Sequence, residues 1–228
     1  MEENNGKRIL FLAVDSCGES GGCALAEHNK RGVFSLLGEK HLEGRSFSAT
    51  LITAIGELLS EAGVKLKDLT GLIVVNGPGS FTGVRVGLSA VKGLAEAEGL
   101  PLLAVSRLEV MTATHAISAA ALDAHRHELF LRVGEGELLA GAEELAAVTA
   151  PQRIAVCDDR ATELLSQAWP QCEILRVAAP TAADALKLGA PRLLAGERAD
   201  VALLDGHYLR RSDAEIFGDP ANAGKPRG

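Results

Sequence analysis

The chain has 228 residues, enough for one large domain or two small ones with a real core in either case. It carries 23 Lys and Arg against 30 Asp and Glu, a formal net charge of −7. That leaves no basic footprint for gripping a phosphate backbone unaided, so any nucleic acid in its work is expected to be held by another subunit.

The start, Met1 to Arg8, is polar, and the apolar stretch Ile9–Val14 stops at Asp15. This is too short for a signal-peptide core or a membrane span, so a cytoplasmic protein without membrane contact is expected. The four cysteines (Cys17, Cys23, Cys157, Cys172) form no C-x-x-C pair and no zinc-like spacing, which suits thiols in a reducing compartment.

Ile9–Val14 reads as a buried strand ending in Asp15-Ser16. A Gly-rich turn, the strand Cys23–Glu27, a second turn at Asn29–Gly32 and a third strand from Val33 to His41 complete an antiparallel meander. Helix follows over Ser48–Ala62, where Leu51, Ile52, Ile55, Leu58, Leu59 and Ala62 share one arc and Gly63 stops the run. Then come strand Leu72–Asn76, a glycine-rich turn, helix Val84–Glu98 and strand Leu102–Val105.

Ser106 opens a connecting helix, with Glu109 placed for a capping box and Val105 and Val110 for a hydrophobic staple. The order then repeats. Strands Ile117–Leu122, Glu128–Val133 and Glu137–Ala140 precede helix Ala142–Val148, strand Ile154–Cys157, helix Ala161–Ala168, strand Cys172–Val177 and a helix from Ala182 capped by Thr181. Two β-β-β-α-β-α-β runs predict an α/β protein of two lobes, residues 1–106 and 107–217, each a mixed five-stranded sheet flanked by helices. Residues 218–228, rich in Gly and Pro, read as a disordered tail.

The stretch Asn76 to Leu88 is the most informative. Gly77, Pro78 and Gly79 make a tight turn, Ser80 or Thr82 can cap the next helix, and Phe81, Thr82, Gly83 and Arg85 complete the motif that leads into it. A free helix N-terminus here is open to an anion; a strand-to-helix turn capped by its own hydroxyl is the structural alternative. The spacing is neither a Walker loop nor a dinucleotide fingerprint. On the helix, Val84, Gly87, Leu88, Val91, Leu94 and Ala95 face the sheet, and Arg85, Ser89, Lys92 and Glu96 form a polar strip. A third sector, Val86, Ala90, Gly93 and Ala97, is small or apolar. It suits the approach of another helix, either from a partner subunit or from the chain's own C-terminal segment.

Ile9–Ser16, the run Gly77 to Arg85, Lys92-Gly93-Leu94-Ala95, Pro101–Ser106, Asp123-Ala124 with Glu128, and Tyr208-Leu209-Arg210 together resemble the TsaB family, also called YeaZ. The resemblance implies the actin-like/Hsp70-like ATPase fold (ASKHA, ribonuclease H-like) and a part in making N6-threonylcarbamoyladenosine in tRNA. It implies a non-catalytic subunit that dimerises with a TsaD-type paralogue and is joined by a TsaE-type ATPase. ATP or ADP would bind at the level of the complex, tRNA would be met only through it, and the isolated chain could form a homodimer. The contact helices would be Ser48–Ala62 and Val84–Glu98, with Val86, Ala90, Gly93 and Ala97 at the interface. Where relatives carry His-Ser-Glu and Asp-Ala-Arg, this chain has Phe47-Ser48-Ala49 and Asp123-Ala124-His125, and Gly189-Ala190-Pro191 breaks a helix that relatives run longer.

No catalytic residue or metal site is predicted. The six histidines (28, 41, 115, 125, 127, 207) contain no His-x-x-x-His pair, so a metallopeptidase-like grouping has no support in them. Asp15 and Ser16 sit where ATPases of this fold hold phosphate and its metal, and are the weak candidates for a cofactor site. The alternative function is a stand-alone nucleotide-dependent enzyme, a kinase or ATPase of the same fold.

Overall fold

The computed structural model describes residues 8–29, 34–43 and 47–210. Residues 30–32 of the expected second turn, Val33 of the expected third strand and the tail from 218 lie outside the described residues. Strands β1 (Ile9–Asp15), β2 (Ser20–His28) and β3 (Phe34–Glu43) form the antiparallel meander. Helix α1 (Phe47–Glu61) leads to β4 (Gly71–Val75), which runs parallel to β1. Helix α2 (Phe81–Glu98) leads to β5 (Leu102–Val105), parallel to β4. The sheet order is β3-β2-β1-β4-β5. Strands β1 and β4 are covered on both faces, which is why they read as unbroken apolar runs without alternation.

Helix α3 (Arg107–His115) passes to a second sheet of β6 (Ala119–Asp123), β7 (Leu129–Val133), β8 (Gly136–Ala140), β9 (Arg153–Val156) and β10 (Glu173–Arg176). Helix α4 (Ala142–Ala147) lies between β8 and β9, and α5 (Asp159–Ala168) between β9 and β10. The order β10-β9-β6-β7-β8 repeats the first sheet's connectivity, so the chain is a duplicated, two-lobed actin-like fold. Strand β6 sends Ala119 and Ala121 to a core with α4 and α5, and Ala120 and Leu122 to a core with Leu108 and Met111 of α3.

Three expectations need correction. First, the helix from Ala182, α6 (Ala182–Leu194), does not belong with the lobe 107–217. Its Ala182, Ala185, Leu186, Ala190 and Leu193 join the core of β1, β2 and β4. The reason is coverage. The second sheet has helices on both faces already, whereas α1 and α2 cover only the Leu12/Val14 side of the first sheet and leave Ala13 and Ile73 bare. A Cβ at Gly189 would stand 3.0 Å from Ile73, the closeness that this packing needs. Second, α6 runs through Pro191. Pro191 and Lys187, whose carbonyl loses its helical donor, are both exposed, so water can satisfy the orphaned oxygen. Third, Ser106 caps α3 by accepting from Leu108 N–H and Glu109 N–H, but Glu109 does not reach back. Its carboxylate instead takes a 3.0 Å hydrogen bond from Arg192 of α6. No helix among the described residues is long and apolar enough to cross a membrane.

Candidate docking face and interlobe cleft

The turn between β4 and α2 is pressed onto the end of β1. Ser80 N–H donates to Cys17 O at 2.8 Å, and Ser16 Oγ donates to Gly83 O at 2.7 Å. Added Cβ atoms would meet Cys17 O at 2.2 Å from Gly79 and Ser16 O at 2.0 Å from Gly83. Ser80 Oγ caps the helix by accepting from Gly83 N–H at 3.3 Å; Thr82 does not cap it. The glycines serve close backbone approach, so of the two readings of this turn the geometry favours the capped, packed one. Helix α2 therefore begins at Phe81, three residues before Val84.

This docking fixes where α2 presents its outer side. Val84, Gly87, Leu88, Val91 and Ala95 are buried, as their spacing predicts. Val86 and Ala90 are half-buried, and Gly93 and Ala97 are exposed, with open space where a Gly93 Cβ would stand. Beside them lies an open groove of about 600 Å³ between the two helices. Phe47, Ser48, Leu51 and Ile52 of α1 form one wall, and Phe81, Thr82, Arg85, Val86, Ser89 and Ala90 of α2 form the other. Ile52, placed on the inward arc of α1 by its spacing, is instead 54% exposed and Phe81 is 39% exposed. Arg85 Cζ lies 3.8 Å from the centre of the Phe81 ring. The chain's own C-terminal segment takes the neighbouring strip, since Lys92 Nζ donates to Leu204 O at 3.0 Å and Tyr208 packs on Phe81. Among the described residues, nothing covers the Gly93 and Ala97 end of the small-residue sector.

The end of β1, where the weak cofactor candidates Asp15 and Ser16 stand, is buried. Asp15 is 1% exposed; its Oδ1 accepts from Cys17 N–H at 2.8 Å, and its Oδ2 lies 3.6 Å from Arg107 Nε. Ser16 Oγ is spent on Gly83. Arg107 is 8% exposed, and its Nη2 would stand 2.3 Å from a Cβ at Gly18. The guanidinium thus fills the space over the β1–β2 turn. Burial, with Asp15 nearby, pushes the Cys17 thiol well up, and burial pushes Cys23 up to about 12. All four thiols are free.

His125, Arg126 and His127 share the β6–β7 turn with left-handed φ values of 59°, 55° and 60°. Asp123 Oδ1 accepts from His125 N–H at 2.8 Å, which ties the turn to its own strand. Among the described residues no group of three or more His, Cys, Asp and Glu could hold a metal ion.

A polar knot that the sequence did not announce lies at the start of α3. Glu137 of β8 is held by Arg132 at 2.7 Å, Ser106 Oγ at 2.7 Å and His207 Nε2 at 2.8 Å. Burial works to raise its carboxyl, and the hydrogen bonds from His207, Ser106 and Arg132 outweigh it and hold it below the ordinary range. Phe47 and Phe81 as groove walls were missed because each is the first residue of its helix, just outside the expected span, and Ile52 because spacing alone cannot separate core from rim at the edge of a helical stripe.

The family model described as TsaD, tRNA N6-adenosine threonylcarbamoyltransferase, matches residues 41–198. The chain is 29% identical to the tRNA threonylcarbamoyladenosine biosynthesis protein TsaB of Escherichia coli K12, over 90% of this chain and 96% of that protein. It is 35% identical to a tRNA N6-adenosine threonylcarbamoyltransferase of Pelobacter propionicus, over 46% of this chain and 28% of that one. Among solved structures, YeaZ from Pseudomonas aeruginosa superposes with a TM-score of 0.69 at 25% identity, covering 88% of this chain and all of that one.

Proposed function

Because the chain belongs to the TsaD family of tRNA N6-adenosine threonylcarbamoyltransferases, and within it to TsaB (YeaZ), we propose that it is a non-catalytic subunit of tRNA threonylcarbamoyladenosine biosynthesis. It pairs with a TsaD-type paralogue through the outer sides of α1 and α2. A TsaE-type ATPase joins the pair, and tRNA and any ATP or ADP are engaged by the complex rather than by this chain.

The observation that carries this reading is the groove between α1 and α2 that the described residues leave open, with small residues along its α2 side. Ile52 and Phe81 are large apolar groups left in water, and Gly93 leaves room for a helix to approach closely. A stand-alone kinase or ATPase has less support, because Ser16 Oγ donates to Gly83 O and Asp15 is buried beside Arg107 where phosphate would sit.

The test is co-expression with the TsaD-type paralogue of the same genome, followed by size exclusion and an assay of threonylcarbamoyl transfer to tRNA. A stable heterodimer and transfer that needs both chains are expected. Full transfer by the paralogue alone, or two chains that never co-elute, would overturn the proposal.

A further inference from the structure

The segment after α6 crosses the molecule and touches both lobes. Ala199 N–H donates to Leu102 O at 2.8 Å along β5, and His207 N–H donates to Asn76 O at 2.7 Å beside the motif turn. From there the side chains diverge. His207 reaches Glu137, Leu209 packs among Leu108, Met111 and Phe130, and Arg210 pairs with Glu128, all in or against the second lobe. Tyr208 alone turns toward the groove. Its ring centre lies 5.1 Å from that of Phe81 with the planes tilted by 44°, and its hydroxyl is 3.4 Å from Arg85 Nε.

We infer that Tyr208 is a positioning residue for partner docking: its ring holds Phe81 and the Arg85 above it in place, so that one wall of the groove stands formed before the partner chain arrives. This rests on the docking role proposed for the groove. Phe81 is the first residue of α2 and has open space on its groove side, so its ring is fixed mainly from behind. Arg85 is a long side chain that loses rotamer freedom on binding unless it is already held. A wall ordered in advance removes that cost from association. The ring is the agent rather than the hydroxyl, because 3.4 Å is long for a hydrogen bond, whereas the ring separation and tilt suit aromatic packing. Because His207 and Arg210 anchor the segment on either side, removing the Tyr208 ring frees Phe81 without releasing the segment.

The experiment measures pairing with the TsaD-type paralogue for the full chain and for Tyr208→Ala, Tyr208→Phe, Tyr208→Leu and Ala90→Glu. Tyr208→Ala is expected to weaken pairing about 10-fold, with Tyr208→Phe restoring it to within about 2-fold and Tyr208→Leu, which keeps apolar bulk without a ring, still weakened. Tyr208→Leu keeps the comparison valid should the alanine variant unfold. Parental pairing by both Tyr208→Ala and Tyr208→Leu, or equal loss in Tyr208→Phe and Tyr208→Ala, overturns the positioning role while Ala90→Glu still abolishes pairing. Parental pairing by Ala90→Glu overturns the docking reading itself, and the positioning role with it.

Discussion

Ser16 Oγ donates to the carbonyl oxygen of Gly83 at 2.7 Å, which makes the end of β1 and the first turn of α2 one packed unit. The contact that a side chain at Gly83 would make, 2.0 Å to Ser16 O, is to backbone, which cannot swing aside as a flexible side chain could. Gly83→Ala is therefore expected to destabilise by about 2–3 kcal/mol, at the upper end of overpacking costs, despite alanine's better helix propensity. Urea unfolding of the two proteins checks this; an unchanged midpoint would show that β1 and α2 can separate cheaply.

The two sheets and most elements were legible because their signals are local: apolar runs bounded by Gly-rich turns, and caps such as Ser80 and Thr181. The destination of α6 was not. Its stripe of Ala182, Leu186, Ala190 and Leu193 says that it must bury a face, but not which sheet has a face to spare. On the outer side of α2, the small sector Val86, Ala90, Gly93 and Ala97 was legible from helical period alone. The role of Arg107 was not, because an arginine near the start of a helix reads as solvated until its Nε is found buried without a hydrogen-bond partner beside Asp15.

On the α2 side of the proposed docking groove, a carboxylate at Ala90 would be buried unpaired by a partner helix. Ala90→Glu is expected to weaken pairing at least about 100-fold, read by size exclusion or calorimetry with the paralogue. Gly93→Leu should also block close approach, yet it meets nothing within 4 Å in this chain and replaces the poorer helix former. The Gly93→Leu monomer should thus be as stable as the parent or up to about 1 kcal/mol more so. Loss of pairing with a preserved or raised melting temperature separates an interface effect from unfolding.

Asp15 and Arg107 are 2% and 10% exposed at their side chains, so neither can turn to water if the other is removed. Asp15→Asn and Arg107→Met are each expected to cost about 3 kcal/mol by leaving one buried charge unpaired. The double variant should cost clearly less than the sum, because no charge is then stranded. Additive losses in urea unfolding would show that the 3.6 Å separation is proximity without coupling.

Glu137 ties Ser106 at the lobe junction to Arg132 and His207, and its carboxyl is held below the ordinary range by those bonds against the opposing effect of burial. A carboxyl whose folded value is depressed adds stability that is full above its unfolded value, about 4.3. That stability is lost as pH falls through the lower folded value. Asp184, where the bonds from Lys187 and Thr181 likewise outweigh burial, shifts the same way and adds to the same acid loss. Glu137→Gln is expected to cost about 1.5–3 kcal/mol at pH 7, the range for hydrogen bonds to a charged group. It should cost progressively less as the pH is lowered below about 4.3, since the parent then loses the same charge. Thermal midpoints of parent and variant between pH 7 and pH 3 should therefore converge toward acid; a constant gap would mean that the Glu137 bonds act through shape rather than charge.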